Sequence, residues 1–352
     1  MNNLEFNLYT KEGWLNVEDL MNSKYNFISM IGARGIGKTY GVLEYFIKHP
    51  DNQFVYMRRQ QTELDIVGKE GLSPFNQLNK DLKTHYVLQP VNKYMSGVYI
   101  GKPDDEGIYK PQGNMKGFIC ALSTVSHLRS LSLPDVDYLF YDEFIPESTA
   151  RPIKDEAIAF LNAIETIGRN RELTGQKPLK VIMAANSNNV ANPMFTGLGI
   201  VDDVVRMQEE GKEVLYIKDM DCLVLNILGS PISEKKLNTS LYRFASRTNF
   251  QDMAIKNKFV GLDTSLVTSF DIKGFSLRFS INGMYFYRKN NKYYVTTHKS
   301  GSLPKNLEFG SGEQDIKSFR FSHMFLVDLY LNNMIYFENY SLLVKFQNIF
   351  TC

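Results

Sequence analysis

The chain is 352 residues long and 43% hydrophobic, with 40 basic residues against 38 acidic ones and a formal net charge of +2. That is room for one large domain or two ordinary ones, with enough apolar residues for a buried core. Near-balance of charge excludes a strongly basic nucleic-acid tail but not a local basic patch, and no run reaches the ~18 uninterrupted apolar residues of a membrane span.

The polar start, Met1 to Thr10, does not read as a secretory signal. Tyr25 to Ile31 (YNFISMI) is an apolar run that stops at glycine and predicts a buried strand. Gly32 to Thr39 follows, and Tyr40 to Lys48 has a helical pattern that ends before Pro50. Gln53 to Arg59 predicts a second strand, closed by Arg58 and Arg59, which would contact nucleotide, couple to the insertion that follows, or form a solvated strand end. Residues 71–117 are mixed and rich in Lys, Asn, Gly and Pro, and read as an insertion on the core sheet with one strand near 94–102. Strands follow at 117–123 (GFICALS) and 136–144 (VDYLFYDEF). Between 153 and 170, Ile153, Ala157, Phe160, Leu161, Ile164 and Ile167 recur at helical spacing. Lys180 to Ser187 predicts a buried strand, with weaker ones at 213–218 and 222–228.

Residues 229–260 are polar and read as a linker or small connecting subdomain. Beyond them come short β-like runs (FSLRFSI, MYFYR, KYYVTT) and an apolar helix near 321–331. Alternating strands and helices over residues 1–228 predict an α/β domain with a mostly parallel sheet. Residues 261–352 read as a smaller α+β domain. The scattered cysteines, Cys120, Cys222 and Cys352, show no metal-ligand spacing and suit a reducing compartment.

Gly32-Ala33-Arg34-Gly35-Ile36-Gly37-Lys38-Thr39 matches the full Walker A pattern GxxxxGK[ST]. The glycines allow a tight turn whose N–H groups aim at phosphate oxygens, and the following helix adds its positive end. Lys38 would neutralise the β- and γ-phosphates of ATP, and Thr39 would give a hydroxyl to Mg2+. Downstream, Tyr138 to Glu143 is an apolar strand ending in two acids. Asp142 would hold the metal, and Glu143 would polarise the attacking water as general base. Period-two alternation would put the two side chains on opposite faces.

Asn186, at the end of the next strand, would sense the γ-phosphate if the two strands are neighbours. Arg169 and Arg171 close the long helix; either they complement its dipole or one is an arginine finger reaching a neighbouring subunit. Arg129, before the acidic strand, is a second candidate to act in trans. Tyr25 and Asn26 are positional candidates for gripping adenine.

Taken together, IGARGIGKTY, FVYMRRQQTEL, YLFYDEFIPE, IGRNRE and AANSNNVANPMF resemble the DNA packaging ATPases of phi-29-like podophages. The resemblance is good over roughly the first 200 residues and weaker beyond. It implies a P-loop NTPase of the additional-strand, catalytic-glutamate class, with a C-terminal α+β domain like a vestigial RNase H-type nuclease. It also implies a ring, a homopentamer, at the portal of a prohead in the host cytoplasm, driving double-stranded DNA inward with ATP hydrolysed at subunit interfaces. The C-terminal domain would touch DNA, portal or packaging RNA. Matched by motif, Lys38 and Thr39 are the Walker A ligands, Asp142 and Glu143 the metal site and base, Arg169 the finger, and Arg129 the trans-acting basic residue. Gln60 and Gln61 depart from the family's more basic stretch, which leaves DNA contact at that loop open; Lys69, Lys80, Lys83 and Lys93 of the insertion either substitute for it or are solvated surface lysines.

A live two-metal nuclease needs converging carboxylates. After Gly261 the acids are few (Asp263, Asp271, Glu308, Glu313, Asp315, Asp328 and Glu338) and basic residues outnumber them. A phosphate-binding surface fits better. The competing readings are a terminase-type motor with an active nuclease, and an ATP-dependent binding switch without turnover, against which Glu143 argues.

Overall fold

The computed structural model describes residues 7–67, 72–128, 136–147, 149–186, 189–227, 230–236, 238–245, 247 and 262–350. The chain divides into two compact units, one of residues 1–198 and 206–260 and one of residues 199–205 and 261–352. The first thus includes the stretch expected to be a linker.

In unit 1 the elements run α1 (Val17–Met21), β1 (Phe27–Gly32), α2 (Lys38–Lys48), β2 (Phe54–Arg58), α3 (Gln61–Val67), α4 (Phe75–Leu82), β3 (Tyr86–Asn92), β4 (Met95–Pro103), β5 (Tyr109–Ala121), β6 (Tyr138–Asp142), α5 (Glu156–Gly168), β7 (Lys180–Ala185) and α6 (Pro193–Leu198). After α7 (Val201–Glu209), in which the boundary between the units falls, come β8 (Val214–Ile217), β9 (Cys222–Ile227), α8 (Pro231–Lys236) and α9 (Ser240–Phe244). Nine strands form one sheet in the order β3-β4-β5-β2-β6-β7-β1-β9-β8. From β5 to β9 every neighbouring pair is parallel, while β3, β4 and β8 add antiparallel edges. The insertion therefore extends the core sheet by a hairpin, and the sequence reading missed β3, α3 and α4.

The central strands read as unbroken apolar runs because both faces are covered. All six residues of β9 and the last five of β1 are buried. Helix α2 packs Val42, Leu43, Phe46 and Ile47 inward, with Phe46 stacked on Phe54 of β2 at 4.4 Å. Each such side chain contributes about 1.5–3 kcal/mol when fully buried. Helix α5 buries Ala157, Phe160, Ala163 and Ile167, but Leu161, expected on the same stripe, is 42% exposed, and Ile158 is 57% exposed.

In unit 2, β10 (Ser276–Ile281), β11 (Met284–Lys289) and β12 (Lys292–Thr296) make an antiparallel meander. The short strand β13 (Glu308–Phe309) pairs in parallel with β10. Helices α10 (Glu313–Ser322) and α11 (Phe325–Leu331) replace the single helix expected at 321–331. Strand β14 (Ile335–Phe337) then pairs in parallel with β12, and α12 (Tyr340–Phe350), an apolar helix the sequence reading missed, follows. Phe279, Phe286, Phe319 and Phe346 are buried at its core, and Tyr293 and Tyr294 are core residues too.

Candidate nucleotide site

Because β1, β2, β6 and β7 run parallel, their carboxyl ends share one edge of the sheet, where α/β proteins bind ligands. A cavity of about 670 Å3 opens there, lined by Gly35, Lys38, Thr39, Arg58, Asp142, Glu143 and Asn186 among others. The Gly32–Thr39 loop turns through Gly35 (φ 64°) and Gly37 (φ 98°), left-handed conformations that favour glycine. Gly37 also precedes the first residue of α2 without a side-chain cap, so the first N–H groups of that helix remain open to an anion.

Lys38 is buried and folds back on its loop. Its ammonium donates to the carbonyls of Gly32 (2.7 Å) and Ala33 (2.9 Å) and to Asn186 Oδ1 (3.3 Å). Burial lowers its pKa to about 8 against the pull of Glu143 and Asp142. Thr39 Oγ1 lies 3.0 Å from both carboxylate oxygens of Asp142. Asp142 Oδ2 also accepts from the buried Tyr56 hydroxyl (3.0 Å) and from Arg58 Nη1 (3.3 Å). Desolvation raises the Asp142 pKa, opposed chiefly by the Arg58 charge. A hydroxyl beside a buried carboxylate is a hard-oxygen donor pair that suits Mg2+ completed by phosphate oxygens and water. Among the described residues no group of three or more His, Cys, Asp and Glu could hold a metal alone.

Glu143 lies one residue past β6 with φ 57°, so its direction is set by a left-handed turn and not by strand alternation as expected. For a residue with a side chain that conformation costs on the order of 1 kcal/mol, a strain typical of functional positions. Its Oε2 lies 3.5 Å from Asn186 Nδ2, which makes Asn186 the bridge between Lys38 and Glu143. Strands β6 and β7 are indeed neighbours, with Asp142 opposite Ala184. Burial, then the Asp142 charge, raises the Glu143 pKa.

Not every expected residue joins this cluster. Arg169 is exposed at the end of α5 with φ 48° and is not among the described residues lining the cavity of its own chain. Arg171 is tied to the Val136 carbonyl and to Asp137 (3.4 Å), which rules it out as a free finger. Arg129 lies outside the described residues. Tyr25 and Asn26 are at the wrong end of β1: Tyr25 packs on Tyr216 and Asn26 bonds Asp221, with the length of the strand between them and the loop. Arg59 also lines the cavity, but its guanidinium is held in a buried bidentate pair with Glu156 (2.8 Å for both bonds), which also accepts from Tyr141.

Arg58, for which the sequence left ligand contact open, joins the site, as do Tyr56 and Lys236, to which the sequence did not point. Tyr56 and Arg58 hold Asp142. Lys236 of α8 donates to the loop carbonyls of Arg34 (2.5 Å) and Gly35 (2.7 Å).

A profile described as the Podovirus DNA encapsidation protein (Gp16) matches residues 9–300. The chain belongs to that family. It is 29% identical over 267 residues to the DNA packaging proteins of Bacillus phages PZA and phi29, an alignment that covers 72% of this chain and 70% of each relative. Its fold resembles a chain of the bacteriophage Phi-29 viral genome packaging motor assembly, with a TM-score of 0.64, 21% identity, and 97% and 98% of the two chains covered. Family membership makes this a viral DNA packaging protein of the phi29 type. Among the described residues no helix is long and apolar enough to cross a membrane.

Proposed function

We propose that this chain is the ATP-hydrolysing subunit of a ring motor that drives double-stranded DNA into a prohead. The observation that carries the reading is the connected cluster at one sheet edge, from Lys38 through Asn186 to Glu143, beside Thr39 and Asp142. Strand β7 lies between β1 and β6, which supports the additional-strand class of P-loop NTPase. The loop amides and Lys38 would take the phosphates of ATP, and Thr39 and Asp142 would hold Mg2+, which would supply charge to stabilise the leaving phosphates. Glu143 takes the proton of the attacking water, and its raised pKa suits a base. Asn186 touches both Lys38 and Glu143 and so reports the γ-phosphate to the base.

Arg169 is the residue we assign to act in trans, stabilising charge on a neighbour's γ-phosphate. Its exposure supports that role, as do the exposed apolar residues on α5 and just beyond it: Ile158, Leu161 and, 85% exposed, Leu173. Ile158 and Leu161, three residues apart, share a face of α5, an exposed apolar face that another copy would cover. The ring is proposed to be a homopentamer seated on the portal, with packaging RNA as a further partner. In unit 2 three of the acids have separate local partners: Glu338 binds Thr296 and Thr297, Glu308 pairs with Lys299, and Glu313 with Lys317. That supports a binding role and not a cutting one, so the vestigial nuclease reading stands as part of the proposal.

The test is Glu143→Gln. The variant should retain labelled ATP as well as the wild type and lose about 100-fold or more of its turnover. Normal turnover would show that Glu143 is not the base.

A further inference from the structure

The chain has a single tryptophan, Trp14, and it is 43% exposed. Its neighbour Leu15 is buried, so a large aromatic ring has been left at the surface where core space was adjacent. The position of that ring is fixed. Thr10 and Trp14 close a turn through Thr10 N–H to the Trp14 carbonyl (2.8 Å), and Gly13 takes φ 95° within it. Leu15 N–H donates to the carbonyl of Ile36 inside the phosphate loop (3.1 Å). A Cβ placed on Gly37 would lie 3.6 Å from Trp14 Cε3, so the indole lies against the residue that caps the start of α2. On its other side the turn meets the helix that follows β9, since a Cβ on Gly13 would come within 2.6 Å of the Pro231 side chain.

The order of the strands says what emerges there. Strands β7 and β6 lie on one flank of β1 and carry Asn186, Asp142 and Glu143, the groups that face a γ-phosphate and its metal. Strand β9 lies on the other flank, with α8 and the Trp14 turn after it. A nucleotide whose terminal phosphate is at Asn186 and Glu143 leaves the loop away from them, so its base comes out on the β9 flank. We infer that Trp14 is the platform on which that base stacks, held in place by its backbone tie to the phosphate loop. This rests on the nucleotide reading above and adds to it the base-binding residue, in place of Tyr25 and Asn26. Stacking of this kind accepts the face of any base, so it supplies affinity and orientation for a nucleoside phosphate without selecting adenine by hydrogen bonds.

Being the only tryptophan, Trp14 reports on itself. Selective tryptophan excitation of the full chain should show a saturable change of emission with ATP and with ADP, at the concentrations at which equilibrium dialysis shows labelled ATP binding. Inorganic tripolyphosphate should displace labelled ATP without that change. Trp14→Ala should weaken ATP binding about tenfold and leave tripolyphosphate binding as it was, and Trp14→Phe should keep most of the ATP affinity. Emission that stays constant while dialysis shows the site filled would overturn the inference. So would equal weakening of ATP and tripolyphosphate by Trp14→Ala, which would make the residue a prop for the loop, or a phenylalanine variant as weak as the alanine one. If the wild type retains no labelled ATP, the nucleotide reading itself fails and takes this inference with it.

Discussion

In unit 1 the carboxyl ends of four parallel strands bring Lys38, Arg58, Asp142 and Asn186 to one cavity, whereas in unit 2 the polar ends of the strands serve separate local turns. The difference follows from strand direction. Parallel neighbours end at the same edge, so a polar residue closing each one has company. The meander of β10, β11 and β12 sends alternate ends to opposite edges, and Glu308 and Glu338 are taken up by Lys299 and by Thr296 and Thr297. A cluster of polar and charged side chains is therefore a natural product of the first sheet, whereas Glu308, Glu313 and Glu338 of unit 2 are taken up one by one.

The comparison can be pressed hardest where unit 1 keeps its edge in register. Arg59 and Glu156 form a buried bidentate pair between the end of β2 and α5. Glu156→Ala would leave the guanidinium buried and unpaired, and it should lower unfolding free energy by about 3–5 kcal/mol in a denaturant titration. A loss near zero would mean that the pair does not hold the strand end. Arg58, one residue earlier, bonds Asp142 and Glu63 instead. Arg58→Ala should spare the fold but reduce ATP turnover about 10- to 100-fold, because the carboxylate proposed to orient the metal loses a positioning partner. Turnover unchanged in that variant would remove Arg58 from the site.

The smallest effect belongs to unit 2. His323 is buried, stacked on Phe319 at 4.3 Å, with its Nδ1 3.1 Å from the Phe319 carbonyl oxygen. Burial depresses its pKa below the ordinary histidine value. The unfolded chain therefore takes up the proton first, and the stability contributed by the neutral ring is complete above about pH 6.5 and declines as the pH falls from there to the folded-state value. Hydrogen-exchange protection of β10 to β12, corrected for intrinsic rates, should weaken as the pH falls below about 6.5. In His323→Phe that dependence should flatten; an equal decline would place the titrating group elsewhere.

How much of this was readable in the sequence follows the same division between local and non-local. The Walker A loop was readable because its chemistry needs consecutive backbone amides, which demands a contiguous motif. Asp142 and Glu143 were readable as neighbours at a strand end. Asn186 was readable as a strand-ending polar residue, and the pairing of β6 with β7 brought it to the site. Tyr56 was not placed and Arg58 was readable only as a strand end facing ligand or solvent, because only the adjacency of β2 and β6 brings them to Asp142. Lys236 sat in a polar stretch that reads as a linker, and its contact with the loop spans about 200 residues of sequence. The turn of Glu143 out of the strand and the break between α10 and α11 were invisible for another reason: periodicity carries no record of single backbone angles.

The most direct measurement is a structure of this chain with Mg2+ and a non-hydrolysable ATP analogue. The account predicts that the Lys38 ammonium leaves the Gly32 and Ala33 carbonyls for the phosphates. The metal should lie beside Thr39 Oγ1 and Asp142, with Glu143 facing the γ-phosphate. A nucleotide bound elsewhere, or bound with Lys38 still on its loop and Glu143 turned away, would contradict it.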